Sequence, residues 1–137
     1  MSEIVCATEP SLSPEDFRRI LVQSGLGATR PIENPRRLQQ MLAGASILTT
    51  ARSSDGELLG VARGVTDGAW IAYLAELAVA GHAQGRGVGR QLLQSVRARL
   101  GDSVMLVLAS VPDAVGFYER CGMLDMPHVF RFPRESP

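Results

Sequence analysis

The stretch WIAYLAELAVAGHAQGRGVGRQLLQSVRARL, residues 70–100, decides the fold of this chain. Its first part, residues 70–80, is an apolar run with the length of a strand, and a turn containing four glycines follows it. Beyond the turn, apolar residues recur at the spacing of one helix face: Val88, Leu92, Leu93, Val96 and Leu100. The stretch therefore predicts a strand, a glycine-rich turn and a helix that packs on the sheet.

The start of this helix lacks the acidic residues that usually stand there. Residues 77–101 contain no Asp or Glu, whereas Arg86, Arg90, Arg97 and Arg99 all lie in this segment. Unpaired N–H groups and the helix dipole make a helix N-terminus electropositive, and glycines let the backbone approach a ligand closely. The pattern predicts an external anion at this position, with phosphate or pyrophosphate as the favoured ligand.

The spacing within the turn excludes two common phosphate sites. The dinucleotide fingerprint needs a third glycine where Arg90 stands, and a P-loop needs a lysine, which this chain lacks altogether. The residues present are Gln84-Gly85-Arg86-Gly87-Val88-Gly89, a Gln-x-x-Gly-x-Gly arrangement directly after a strand. It resembles the acyl-coenzyme A signature of the GCN5-related N-acetyltransferase (GNAT) superfamily. The resemblance extends upstream to Leu77-Ala78-Val79 and downstream to residues 117–122, FYERCG, which are similar to the second signature of that family.

The composition limits the class of protein. A chain of 137 residues is long enough for one domain with a core and too short for two ordinary ones. With 14 basic and 14 acidic residues the formal net charge is zero, so no global field draws the chain to nucleic acid or to an anionic membrane. We expect a cytoplasmic protein without a membrane span, in which Cys6 and Cys121 are free thiols.

The predicted elements follow one another as β-α-α-β-β-β-α-β-α-β, a mixed α/β arrangement that matches the GNAT fold. Two helices begin at cap-then-proline pairs, Ser13-Pro14 and Asn34-Pro35. Strands are predicted at residues 4–7, 46–51, 58–65, 70–80, 104–109 and 128–132, and the last helix at 114–121. The run 104–109 is continuously apolar, which predicts a parallel strand buried on both faces.

The resemblance implies an acetyl-CoA-dependent N-acetyltransferase that works without a metal. Leu77, Ala78 and Val79 would offer a free strand edge to the pantetheine arm, because a bulge separates this strand from the strand at 104–109. The pyrophosphate would bind to the turn, and Phe117 and Asp113 would also contact the coenzyme. Many relatives carry Asn at the position of Asp113, so that contact stays in question. The turn residues implied in binding are Gln84, Gly85, Arg86, Gly87, Val88, Gly89 and Arg90.

Two residues are candidates for proton transfer. Tyr118 matches the tyrosine that points at the coenzyme sulfur in many GNAT enzymes, where a protonated phenol serves as general acid. The alternative is an aromatic side chain packed in the core beside Phe117. Glu76 is the only acid in the apolar run 70–80, so we expect it to be wet, paired or functional. It is either a base for the incoming amine or a solvated residue on an exposed face.

The resemblance implies that the acceptor is a primary amine of a small molecule or peptide. In this family the segment joining the first two helices forms one wall of the acceptor site, which here is the region of Leu26–Ile32; a plain solvent loop is the alternative. A non-catalytic acyl-CoA binding or regulatory domain is the second functional hypothesis, and a nucleic-acid binding module is the third. The family habit also suggests a homodimer.

Overall fold

The computed structural model describes residues 3–136. Short 3₁₀ turns lie at Leu26–Thr29, Gly81–Ala83 and Pro112–Ala114. The strands and helices in chain order are β1 (Ile4–Thr8), α1 (Pro14–Ser24), α2 (Pro35–Ala43), β2 (Ile47–Ser53), β3 (Leu58–Thr66), β4 (Ile71–Val79), α3 (Val88–Leu100), β5 (Met105–Leu108) and α4 (Val115–Arg120).

The five strands form one sheet in the order β1-β2-β3-β4-β5. The first four strands pair antiparallel with their neighbours, whereas β4 and β5 pair parallel. The crossover from β4 to β5 runs through α3, as parallel neighbours require. The mixed α/β class and the order of the elements from β1 to α4 agree with the sequence prediction.

Both predicted cap-then-proline pairs start helices. The Ser13 hydroxyl accepts a hydrogen bond from the Asp16 N–H at 3.1 Å, and the Asn34 side-chain oxygen accepts one from the Arg37 N–H at 3.0 Å. Each bond satisfies a donor that the first turn of the helix leaves unpaired. These caps fix where α1 and α2 begin.

The core lies on both faces of the sheet, with α1 on one side and α3 on the other. Alternate residues of β3 face opposite helices, because side chains alternate along a strand. A Cβ at Gly60 would meet Leu92 of α3 at 2.9 Å, whereas the Arg63 guanidinium lies over the ring of Phe17 of α1, 5.9 Å from its centroid. Glycine at position 60 therefore lets α3 lie directly on the strand.

A β-bulge in β4 sets the geometry of the site. Arg63 pairs with Glu76 and the next residue, Gly64, pairs with Leu74, so Ala75 is an extra residue in β4. On the other side of β4, pairing with β5 covers only Ile71–Leu74. After Leu74, β4 therefore pairs with β3 alone. This agrees with the predicted separation of β4 from β5.

Two sequence expectations are wrong. The segment 128–132 forms no strand, because Pro127 lacks a backbone donor and His128 has a φ of +66°, which interrupts an extended run at its first residue. The run 104–109 is also not buried on both faces: Met105 is exposed, and the other residues of β5 are half-buried. Without a sixth strand beside it, β5 is the edge of the sheet.

Within residues 3–136, every helix is too short or too polar to cross a membrane.

Candidate active site

The glycine-rich turn presents an uncapped helix N-terminus. Gly85 and Gly87 have φ angles of +79° and +83°, and a Cβ at either position would have no neighbour within 4 Å, so the space beside the turn is open. Gly87 is the N-cap of α3 and offers no side-chain acceptor, and the first helical turn contains no acid. The N–H groups of Val88, Gly89 and Arg90 therefore have no partner within the helix and can bind an anion.

Side chains around the turn hold it against β4 and α4. The Gln84 amide donates to the Val79 carbonyl at 3.0 Å, and Arg90 donates to the Arg120 carbonyl at 3.1 Å. A Cβ at Gly89 would come within 3.2 Å of the Phe117 ring. The side chains of Gln84, Arg90 and Phe117 thus hold the turn in place without capping the start of α3. Val88 is buried beneath the turn.

The adjacent edge of β4 is the predicted pantetheine edge. Leu77 and Val79 lie opposite Ala62 and Gly60 and share with them the face that α3 covers, whereas Ala78 is buried on the opposite face. The side chains therefore belong to the core while the backbone edge toward β5 has no strand partner. The packing of these side chains in the core is therefore compatible with the predicted use of the backbone edge.

A small cavity of about 80 Å³ lies where β4 separates from β5. It has room for two or three waters, or for a group the size of an acetyl. The segment between α1 and α2 contributes Leu26 and Arg30 to its wall, so this segment borders the candidate site. Its other lining residues include Glu76, Leu77, Leu108 and Tyr118.

Tyr118 is half-buried and lines this cavity. Its ring packs edge-on against Phe117 with centroids 5.1 Å apart, and burial, followed by the nearby Cys121 thiol, raises the pKa of the phenol above 10.0. Within residues 3–136 no hydrogen-bond partner is recorded for its hydroxyl. The ring of Tyr118 packs beside Phe117, as expected if it were only a core aromatic residue. Its phenol proton is nevertheless retained at neutral pH and is available for transfer.

Glu76 is buried and paired, so the alternative of a solvated residue is wrong. Its side chain is only 2% exposed. Oε2 accepts hydrogen bonds from Arg30 Nε at 2.7 Å and from Arg63 Nη2 at 2.9 Å, and Oε1 accepts a third from Arg63 Nε. Arg30 also donates to the carbonyl of the bulge residue Ala75 at 2.8 Å. The ion triad of Arg30, Arg63 and Glu76 thus holds the α1–α2 segment against the bulge.

Sequence reasoning missed the arginines of this triad. Arg63 is the only charged residue in the apolar strand β3, just as Glu76 is in β4. Lone opposite charges in two consecutive apolar strands predict a cross-strand pair, because neither tolerates burial alone. No such sequence pattern indicates Arg30, because an arginine in a loop is not unusual.

The remaining predicted residues lie outside the cavity. Asp113 is exposed in a 3₁₀ turn, and Arg86 is exposed on the glycine turn. Cys6 and Cys121 are free cysteines, as expected. Over residues 3–136, no cluster of three His, Cys, Asp or Glu side chains is arranged to hold a metal ion.

Comparison with known families defines the class of protein. The model of the acetyltransferase (GNAT) family matches residues 15–123, and the chain belongs to this family. Its fold and family support acyl transfer as the type of reaction. A comparison with curated protein sequences gives no significant match.

Solved structures share the whole architecture. A candidate acetyltransferase from Deinococcus radiodurans R1 is 28% identical, with a TM-score of 0.73 over 96% of this chain and 93% of that one. A GNAT-family acetyltransferase from Streptococcus pneumoniae TIGR4 is 22% identical, with a TM-score of 0.75 over 97% and 100% of the two chains. An aminoglycoside acetyltransferase from an uncultured soil metagenomic sample is 15% identical, with a TM-score of 0.69 over 98% and 96%. The last two likenesses concern the fold alone.

Proposed function

We propose that this chain is an N-acetyltransferase that moves the acetyl group of acetyl-CoA to a primary amine of a small molecule or peptide by direct attack in a ternary complex. One observation carries the proposal: the uncapped N-terminus of α3 lies next to a β4 edge that β5 leaves free, and a phenol lines the cavity between those two strands. Anion binding, a pantetheine edge and a proton donor are the parts that the reaction requires.

The chain has groups that fit the coenzyme. The backbone N–H groups of residues 86–90 would hold its diphosphate, because they lie at an electropositive helix end with open space beside it. The free edge at Leu77, Ala78 and Val79 would pair with the amides of the pantetheine arm. Phe117 would pack near the arm from beside Gly89. Asp113 could only accept hydrogen bonds from the coenzyme, because a carboxylate has no donor.

When bound, acetyl-CoA supplies an activated thioester. The amine nitrogen forms a bond to the acetyl carbon as the carbon–sulfur bond breaks, and the electron pair of that bond leaves on sulfur. Tyr118 gives its phenol proton to the departing sulfur, and the amine proton passes through water to the resulting phenolate. A backbone N–H near Leu77 polarises the carbonyl oxygen.

Glu76 was the candidate base, and its contacts support a positioning role instead. To accept a proton from the amine, the carboxylate would have to rearrange hydrogen bonds to two guanidinium groups. In this arrangement Glu76 holds Arg30 in the cavity wall and also binds Arg63, which does not line the cavity. The base assignment is tested separately below.

Calorimetry and a thiol-release assay test the proposal. Acetyl-CoA should bind and raise the melting temperature, while acetyl-pantetheine, which has the thioester arm but no diphosphate, should bind far more weakly. Release of free coenzyme should then require an amine. Equal binding of the two thioesters would contradict the diphosphate site. Tight binding without transfer to any member of a broad amine panel would favour the non-catalytic domain.

A further inference from the structure

The ion triad holds one positive charge more than its single carboxylate neutralises. Arg63 and Glu76 form a two-point pair in which both carboxylate oxygens receive a bond from the same guanidinium, and the Arg63 side chain is 12% exposed. Arg30 adds a second guanidinium that shares one of those oxygens. The surplus charge therefore belongs to Arg30, the more exposed of the two arginines at 23%.

Neutral groups satisfy most of the other Arg30 donors. Nη1 donates to the Thr29 hydroxyl at 2.9 Å and, at 3.4 Å, to the Thr29 carbonyl, and one Nη2 hydrogen goes to the Ala75 carbonyl. A guanidinium has five N–H groups, so one Nη2 hydrogen is left. These bonds fix the position of the group without cancelling its charge.

Nothing else around the cavity offers a counter-charge. Among the described residues that line it, Glu76 is the only acid and Arg30 the only base. The phosphates of the coenzyme would lie at residues 86–90, at the start of α3, and not in this cavity. A partly buried guanidinium without its own counter-ion attracts anions and repels cations more strongly than an exposed one.

From this charge balance we propose that the acceptor amine carries a carboxylate within one or two carbons of its nitrogen, as an amino acid does, and that Arg30 binds that carboxylate. The inference rests on the proposed transfer reaction. Leu77 of the free β4 edge and Arg30 both line this cavity of about 80 Å³. The amine and the carboxylate of the acceptor must therefore lie close together. The remainder of the acceptor extends outside the cavity.

The charge also works against a different class of acceptor. A polyamine or an aminoglycoside brings several ammonium groups next to Arg30, which raises the free energy of its complex. The fold likeness to an aminoglycoside acetyltransferase therefore does not extend to the acceptor.

Matched amines test the proposal in the wild-type protein. The pairs are glycine with methylamine, and phenylalanine with phenethylamine, with spermidine as the polycation. We expect kcat/KM to be about tenfold or more higher for the carboxylated member of each pair, and lowest for spermidine. N-acetylglycine should raise the melting temperature of the protein at concentrations at which N-methylacetamide does not.

Arg30→Gln should remove the preference, and Arg30→Lys should keep part of it. Arg19→Gln is the matched control, because Arg19 is an exposed arginine of α1 that pairs with Asp16 of the same helix and does not line the cavity. If the amines without a carboxylate react as well as their carboxylated partners, this inference is overturned and the transferase remains. If no amine reacts at all, the proposed function itself fails and the inference falls with it. Should Arg30→Gln not fold, the wild-type pairs alone decide.

Discussion

Tyr118 and Glu76 line the same small cavity, but their surroundings suit them to different tasks. The phenol has no recorded hydrogen-bond partner among residues 3–136, and burial keeps its proton in place. The carboxylate is held by two arginines. A group that transfers a proton must be free to move it, whereas a group that fixes neighbours must not. Tyr118 is therefore suited to proton transfer, and Glu76 is suited to holding Arg30 and Arg63 in position.

Tyr118→Phe should lower kcat by about 10²- to 10⁴-fold with little change in acetyl-CoA affinity, because only the proton donor is removed. Since burial raises the pKa of Tyr118 above its ordinary value, wild-type turnover should hold through neutral pH and fall only under strongly alkaline conditions, as the proton is lost. That alkaline limb should be absent in the variant. Tyr73→Phe is the matched control, because Tyr73 is an exposed tyrosine of β4 that does not line the small cavity. A variant that turns over normally would exclude Tyr118 as the acid.

Glu76→Gln tests whether Glu76 stabilises the fold or acts as the catalytic base. Removing the charge leaves two guanidinium groups without their counter-ion, so the free energy of unfolding should fall by roughly 3 kcal/mol in chemical denaturation. Glu9→Gln, which affects the more exposed pair with Arg52, should cost clearly less. An unchanged stability together with a turnover that recovers only at high pH would instead identify Glu76 as the base.

At the scale of elements, the bulge in β4 and the uncapped start of α3 depend on each other for function. The bulge ends the pairing of β4 with β5 after Leu74, and the glycine turn follows only a few residues later. The free strand edge therefore lies next to the proposed anion site. A coenzyme with an amide-rich arm and a diphosphate is complementary to that sequence of groups.

Gly87→Ala tests the anion site against a control of equal strain. Gly87 and Gly56 have φ angles of +83° and +93°, and an added Cβ meets nothing within 4 Å at either position. Each substitution should therefore lower stability by about 1–2 kcal/mol. Only Gly87→Ala should weaken acetyl-CoA binding, because it shifts the backbone N–H groups at the start of α3. Equal affinity in the two variants would place the diphosphate elsewhere.

At the scale of the whole molecule, the face beyond β5 is open. A groove of about 960 Å³ runs between α3, β5 and α4, lined by apolar side chains such as Leu93, Leu106 and Met123. The segment after α4 carries large apolar residues in solvent: Leu124 is 92% exposed and Phe130 is 89% exposed. An unpaired strand edge beside exposed apolar groups favours association.

We therefore expect the purified protein to self-associate in a concentration-dependent manner, measurable by sedimentation velocity. The double variant Phe130→Ser with Phe132→Ser should shift the equilibrium toward monomer, because it removes two of the exposed apolar groups. Trp70→Ser, which removes a similarly exposed aromatic residue outside that segment, is the control. A wild-type protein that stays monomeric at high concentration would refute the homodimer expectation.

Local features of the chain were predictable from sequence because a few neighbouring residues encode them. Residues close together in sequence encode the caps at Ser13 and Asn34, the left-handed glycines of the turn, and the apolar face of α3. The family signatures at residues 77–79, 84–89 and 117–122 are local in the same sense. From these patterns follow the class of fold and the family, while the anion site at the start of α3 stays a prediction.

Features that join distant parts of the chain followed from tertiary packing. The triad brings together residues 30, 63 and 76, and its partners depend on the register between β3 and β4 and on where the α1–α2 segment lies over the bulge. The strand predicted at 128–132 fails for a local reason instead: Pro127 has no backbone donor and His128 has a φ of +66°, so alternation alone forms no strand beside the free edge of β5. The charge of the cavity, and with it the proposed choice of acceptor, is thus a property of the folded chain, because desolvation and pairing arise only when distant residues meet.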